Sequence, residues 1–148
     1  MKSYPTLRFY PKGSTEGESY TGGRSEADLV SFINSRSGTY RTEGGGLNTI
    51  AGTIPSLDEI VSTLKSGGAE AYKSFDSAAS ALSGTYAEYY AKVAKKMEQN
   101  QEYASKELTR LQNLLKKNVA GEKKDDLTIR TNILNKFMGK DEQVKDEL

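Results

Sequence analysis

Residues 102–118 read EYASKELTRLQNLLKKN. Leu108, Leu111, Leu114 and Leu115 recur three and four positions apart, with charged and amide side chains between them, which is the spacing of one face of a helix. A stripe of that kind has to be covered by other apolar faces, and the neighbouring segments supply them. Downstream, after Asp125-Asp126, Leu127, Arg130, Ile133, Leu134 and Phe137 share a face. Upstream, Tyr86, Tyr89 or Tyr90, Val93 and Met97 mark a helix over about 85–98, and Tyr72, Phe75, Ala79 and Leu82 mark another over about 69–82. Leu57, Ile60, Val61 and Leu64 open the series, behind a capping box at Ser56-Leu57-Asp58-Glu59 and before a stop at Gly67-Gly68. Five amphipathic segments joined by short polar stretches predict a five-helix bundle over 56–139.

The chain before Pro55 has a different texture. Residues 38–55 carry five Gly and one Pro without periodicity and read as a linker. Further upstream, Thr6-Leu7-Arg8-Phe9-Tyr10 alternates and stops at Pro11-Lys12-Gly13, and Ser19-Tyr20-Thr21 follows as a second short strand, so the pair predicts a β-hairpin. Gly22-Gly23 leads into a helix with Ser25 as N-cap, an imperfect capping box to Asp28, an apolar face of Leu29, Val30, Phe32 and Ile33, and Gly38 as the stop. The expected fold is therefore mainly α: a small α/β segment of hairpin plus helix over 1–37, then the bundle, then a tail over 140–148. A hairpin and one helix bury little surface, so residues 4–36 are expected to be marginal or to borrow contacts from the bundle.

Composition excludes more than it affirms. The chain of 148 residues has no Cys, no His and no Trp. Disulfides, thiol nucleophiles and thiolate metal sites are thereby impossible, and the commonest general base is missing. No metal or other cofactor is implied. A net charge of +1 gives no basic field to steer nucleic acid. The hydrophobic fraction is 35%, charged residues make up 28%, and no apolar run could insert into a membrane.

The last four residues, Lys145, Asp146, Glu147 and Leu148, match the address that a receptor reads to return soluble proteins to the lumen of the endoplasmic reticulum. Luminal entry requires a leader with an apolar core of about 7–15 residues. Met1-Lys2-Ser3-Tyr4-Pro5-Thr6-Leu7-Arg8 lacks one, so the chain is expected to be truncated at its N-terminus.

Tyr86, Tyr89 and Tyr90 are the unusual feature of the bundle. Two readings stay open for them. They are rings packed into the core with hydroxyls reaching water, or an exposed aromatic platform for unfolded peptide.

Two stretches resemble a known family. Tyr4-Pro5-Thr6, Leu7-Arg8-Phe9-Tyr10-Pro11-Lys12-Gly13, Tyr20-Thr21-Gly22-Gly23-Arg24 and Asp28-Leu29-Val30-Ser31-Phe32-Ile33-Asn34 resemble the C-terminal half of a thioredoxin-like domain of the protein disulfide isomerases. Tyr103-Ala104-Ser105-Lys106-Glu107 with Leu108, Arg110 and Leu111, and Asp126-Leu127-Thr128 with Arg130, Asn132-Ile133-Leu134 and Phe137, resemble the helical D domain that follows such domains. The resemblance implies a cis bond before Pro5, a client-pairing backbone at Tyr4, and an Arg24 that tunes the pKa of an active cysteine. Read alone, Pro5 is a trans proline at a strand start and Arg24 is a solvated side chain.

The implied function is the C-terminal portion of an endoplasmic-reticulum disulfide isomerase acting in protein folding, inactive as it stands because it has no sulfur nucleophile. The alternative is a genuine non-catalytic luminal chaperone or scaffold. Implied partners are unfolded or partly folded secretory proteins and the KDEL receptor, and a homodimer of the bundle stays open.

Overall fold

Ser25 caps the first helix as its position predicts. In the computed structural model, which describes residues 4–139, its hydroxyl oxygen accepts the Asp28 N–H at 3.1 Å and donates to the Asp28 carboxylate at 2.7 Å. Helix α1 (Glu26–Ser37) runs from that cap to Gly38, whose left-handed φ of 64° returns its N–H to the Asn34 carbonyl. Before it lie β1 (Arg8–Phe9) and β2 (Glu18–Ser19), antiparallel, with Arg8 opposite Ser19 and Phe9 opposite Glu18. The hairpin is as expected, but each strand is shorter, and the second sits one residue earlier. Phe32 of α1 meets Phe9 edge-on at 5.7 Å and Tyr20 at 4.8 Å, while Arg36 stacks over its ring at 5.0 Å and pairs with Glu18. This aromatic nucleus is thin: no residue of α1 is buried, and Ile33 is 45% exposed.

The chain divides into two units between Gly45 and Gly46. That boundary falls inside the stretch expected as a linker, and each half of 38–55 is held by its own unit. Asn34 clasps Arg41 with both ends of its amide, at 2.8 and 3.0 Å, and Glu26 accepts the Gly44 N–H at 2.6 Å. In the second unit, the Asn48 side chain caps a turn by accepting the N–H groups of Ile50 and Ala51 at 3.1 and 3.0 Å. The buried Asn132 amide then donates to the carbonyls of Asn48 and Ala51 at 2.8 and 3.1 Å. Gly52 follows at φ 74°, and a Cβ placed there would lie 2.1 Å from Ile129 Cγ2. Only a residue without a side chain fits.

The bundle consists of α2 (Pro55–Val61), α3 (Leu64–Ser80), α4 (Thr85–Gln99), α5 (Tyr103–Leu115) and α6 (Gly121–Phe137). The capping box expected at Ser56 does not form. Pro55 already occupies the first helical turn, and Ile54 stands at the cap without a side-chain bond; proline suits that position because its missing N–H would go unbonded there anyway. The stop expected at Gly67-Gly68 is a kink within α3, with Gly68 at φ 59° and ψ −151°.

Helix α3 packs chiefly on α4, and α5 on α6, while α4 and α2 also touch α6. Helix α6 is buried round much of its circumference, since Thr131, Asn132, Ile133 and Leu134 are all buried in succession. At the centre Phe75, Tyr90 and Phe137 form an aromatic triangle with centroids 5.8 to 6.4 Å apart. Burying side chains of this size contributes roughly 1.5–3 kcal/mol each. Nearly every apolar position read from periodicity lies in or against this core; Leu82, past the end of α3, is 40% exposed.

Candidate functional site

The residues singled out at the N-terminus lie on the first unit. The Tyr4–Pro5 peptide is cis, as the resemblance implies, and the Tyr4 side chain is 94% exposed. Arg24 is exposed just ahead of the Ser25 cap. The chain itself contains no thiolate for it to tune. Lys145, Asp146, Glu147 and Leu148 lie outside the described residues.

Of the two readings left open for the tyrosines of α4, burial favours packing into the core for Tyr89 and Tyr90. Tyr89 is 5% exposed and Tyr90 fully buried, so of the three only Tyr86 keeps a partly accessible ring. The reason is register: 89 and 90 fall on the same face as Val93 and Met97, which turns inward onto α3, α5 and α6. Their hydroxyls fare differently. Tyr90 donates to an Asp58 carboxylate oxygen at 2.5 Å and accepts the Ile54 N–H at 3.0 Å, tying α4 to the start of α2. The Tyr89 hydroxyl is buried without a hydrogen-bond partner among the described residues. Its ring instead supports Arg130, whose guanidinium lies 4.6 Å from the centroid and whose Nε binds Asp126 at 2.9 Å. Tyr86 donates to the same Asp126 at 3.4 Å.

These surroundings determine what chemistry is possible. Burial, and secondly the bond to Asp58, pushes the Tyr90 phenol well above its ordinary range. Burial, and secondly the Glu107 charge, does the same to Tyr89. Burial and the Asp126 charge raise Tyr86. Phenols held in the neutral form this firmly are poor general bases and poor nucleophiles. Glu107, bonded by Arg110 at 2.6 and 2.9 Å, is held below the ordinary carboxylate range by that pairing. Among the described residues no three carboxylates gather to hold a metal ion, and no helix is long and apolar enough to cross a membrane.

Sequence reasoning missed the concave feature of the bundle. A groove of about 200 Å3 runs between α3 and α4, lined by Tyr72, Lys73 and Asp76 from one helix and Ala91, Lys95 and Glu98 from the other. Small residues at 91 and 94 were its one visible signal, and alanine on an amphipathic helix reads as ordinary packing.

The chain thus joins a small hairpin-and-helix unit to a helical bundle, without a cysteine in either. Residues 52–137 match the family described as endoplasmic reticulum protein ERp29, C-terminal domain. Along all of its length the chain is 50% identical to the protein disulfide-isomerase tigA of Aspergillus niger and 46% identical to the protein disulfide-isomerase erp38 of Neurospora crassa. Over 93% of its length it is 39% identical to protein disulfide isomerase-like 2-1 of Oryza sativa subsp. japonica. It spans 40 to 42% of these relatives' own lengths. No solved structure matches. The chain belongs, through residues 52–137, to the family of the ERp29 C-terminal domain, and along its length it is similar to proteins named protein disulfide-isomerase.

Proposed function

We propose that the chain is the C-terminal portion of an endoplasmic-reticulum protein disulfide isomerase and supplies the non-catalytic part of that protein's work in folding. It holds unfolded or partly folded secretory proteins while thiol exchange is carried out on cysteines it does not contain. The observation that carries this reading is end-to-end similarity to disulfide isomerases in a chain without a single cysteine. Exchange proceeds by thiolate attack on a disulfide sulfur, so binding is the work left to these residues. The order of hairpin and then helix α1 supports reading residues 1–37 as the C-terminal half of a thioredoxin-like domain. There the Tyr4 backbone would pair with a client, and Arg24 would serve a cysteine from elsewhere. The residues Lys145, Asp146, Glu147 and Leu148 and the family description support residence in the lumen and retrieval by the KDEL receptor.

The purified chain tests the reading directly. Insulin reduction by glutathione should run at its uncatalysed rate in the chain's presence, while aggregation of a reduced, denatured client should slow. Catalysed insulin reduction would overturn the reading, and so would a client that aggregates unchanged. An alternative, a self-standing luminal chaperone or scaffold, is favoured by the bundle having its own complete core. An immunoblot of the source cells separates the two: a band near 16.2 kDa supports the alternative, and a band about two and a half times larger supports the isomerase.

A further inference from the structure

We propose that the groove between α3 and α4 seats one apolar side chain of an extended polypeptide, in a segment that carries charges of both signs beside it. This rests on the client-binding reading above and gives that binding a place.

Size sets the first limit. At about 200 Å3 the groove is smaller than the roughly 300–1,000 Å3 that encloses a metabolite or cofactor, so its occupant is a single side chain. The floor is apolar, lined by Phe75 of α3 and by Ala91 and Ala94 of α4, with the Tyr72 ring beside them. Gln101 fixes that ring by donating to its hydroxyl at 3.1 Å.

The rim sets the second limit. Helix α3 contributes Lys73 and Asp76, and α4 contributes Lys95 and Glu98; all four are exposed. Elsewhere on the bundle some opposite charges three or four apart pair, Glu102 with Lys106, Glu107 with Arg110 and Asp126 with Arg130, while among the described residues Glu88 and Lys92 do not. In each of those the acid precedes the base, the order that suits the helix dipole. At the groove both orders occur, Glu70 before Lys73 but Lys73 before Asp76 and Lys95 before Glu98, and none of Lys73, Asp76, Lys95 and Glu98 is in an ion pair among the described residues. Each wall therefore presents one uncommitted cation and one uncommitted anion. A segment with charge of a single sign would meet repulsion on both walls, whereas one with both signs finds a partner for each. Electrostatic complementarity of this kind selects the partner more than it tightens it.

The probe is an acetylated peptide, Gly-Ser-Glu-Glu-Leu-Lys-Lys-Ser-Gly, titrated into the isotopically labelled chain and followed by amide chemical shifts. Shifts should concentrate at residues 72–76 and 91–98. Replacing the central Leu by Ser, or making all four flanking charges acidic, should weaken binding at least tenfold. Ala91→Leu, which fills the groove, should weaken it at least tenfold with the circular dichroism spectrum unchanged. If that variant folds poorly, the surface substitution Lys95→Glu should weaken the mixed-charge peptide at least threefold. Shifts mapping to another face, equal affinity for the all-acidic peptide, or full binding by a folded Ala91→Leu chain would each overturn the proposal.

Client aggregation measured on the same variants keeps this claim apart from the one beneath it. Suppression that survives Ala91→Leu overturns the groove as the client site and leaves client binding standing. Peptide binding by a chain that suppresses no aggregation upholds the groove and overturns the chaperone reading.

Discussion

Tyr89 and Tyr90 are neighbours in sequence and in the core, yet among the described residues one hydroxyl holds two bonds and the other none. A buried polar group without a partner contributes desolvation cost and nothing in return. Tyr89→Phe should therefore leave stability within about 0.5 kcal/mol of the parent, or raise it, since the ring that supports Arg130 remains. Tyr90→Phe strips the Ile54 N–H of its acceptor and should lower stability by about 1–3 kcal/mol. Urea unfolding of the two variants decides the matter, and equal losses would contradict the assignment.

The same residues set an alkaline limit. A phenol whose folded pKa is raised keeps its full contribution below the unfolded value of about 10, and loses it as pH climbs from there towards the folded value. Urea midpoints should thus hold steady up to about pH 10 and fall above it. Each such tyrosine steepens the fall by about 1.4 kcal/mol per pH unit, and Tyr90→Phe should flatten it. An unaltered slope in that variant would assign the decline to other groups. Periodicity placed these rings on a helix face but left their exposure open, because a phenol has an apolar body and a polar tip and suits core and surface alike.

Among the elements, the five bundle helices were legible because each carries a 3.6-residue apolar repeat, and repetition survives the loss of any one residue. The turn over 48–54 was not. Its glycine and polar residues read as linker, while its meaning lies in Asn132, more than eighty positions away, whose amide binds the carbonyls of Asn48 and Ala51. A capping motif has the converse weakness: Ser56-Leu57-Asp58-Glu59 has the right letters, but the helix starts at Pro55, two residues before the motif would start it. Nor could the groove be read, since it is made by what alanines leave unfilled between two helices.

The turn gives a sharp prediction. Gly52→Ala forces a side chain into a left-handed conformation, at about 1–2 kcal/mol, and drives its Cβ into Ile129. The loss should exceed about 2 kcal/mol. Ile129→Ala relieves the overlap, so the double variant should be more stable than the sum of the two single losses by at least about 0.5 kcal/mol. Strict additivity would mean that the close approach of 52 to 129 is absent in solution.

On the scale of the whole molecule, the two units are built to different standards. The second unit buries seventeen apolar side chains in one cluster, with α6 enclosed on most sides. The first rests on Phe32 between two aromatic neighbours, an exposed ion pair between Arg36 and Glu18, and a ladder of two-residue strands. Exposed ion pairs contribute little, and a lone hairpin is not stable in water without a larger apolar face to rest on. Local opening follows burial, so amide exchange should separate the units. Amides of α4 and α6 should exchange only on global unfolding of the bundle, with protection factors of at least about a thousandfold. Amides over 8–37 should be protected less than about tenfold, and the Glu18→Gln substitution, which breaks the ion pair, should change that little. Protection of α1 equal to that of α6 would show that the first unit has a stability its own contacts do not explain. It would also count against reading residues 1–37 as part of a larger domain whose remaining strands are needed to cover Phe9, Tyr20 and Phe32.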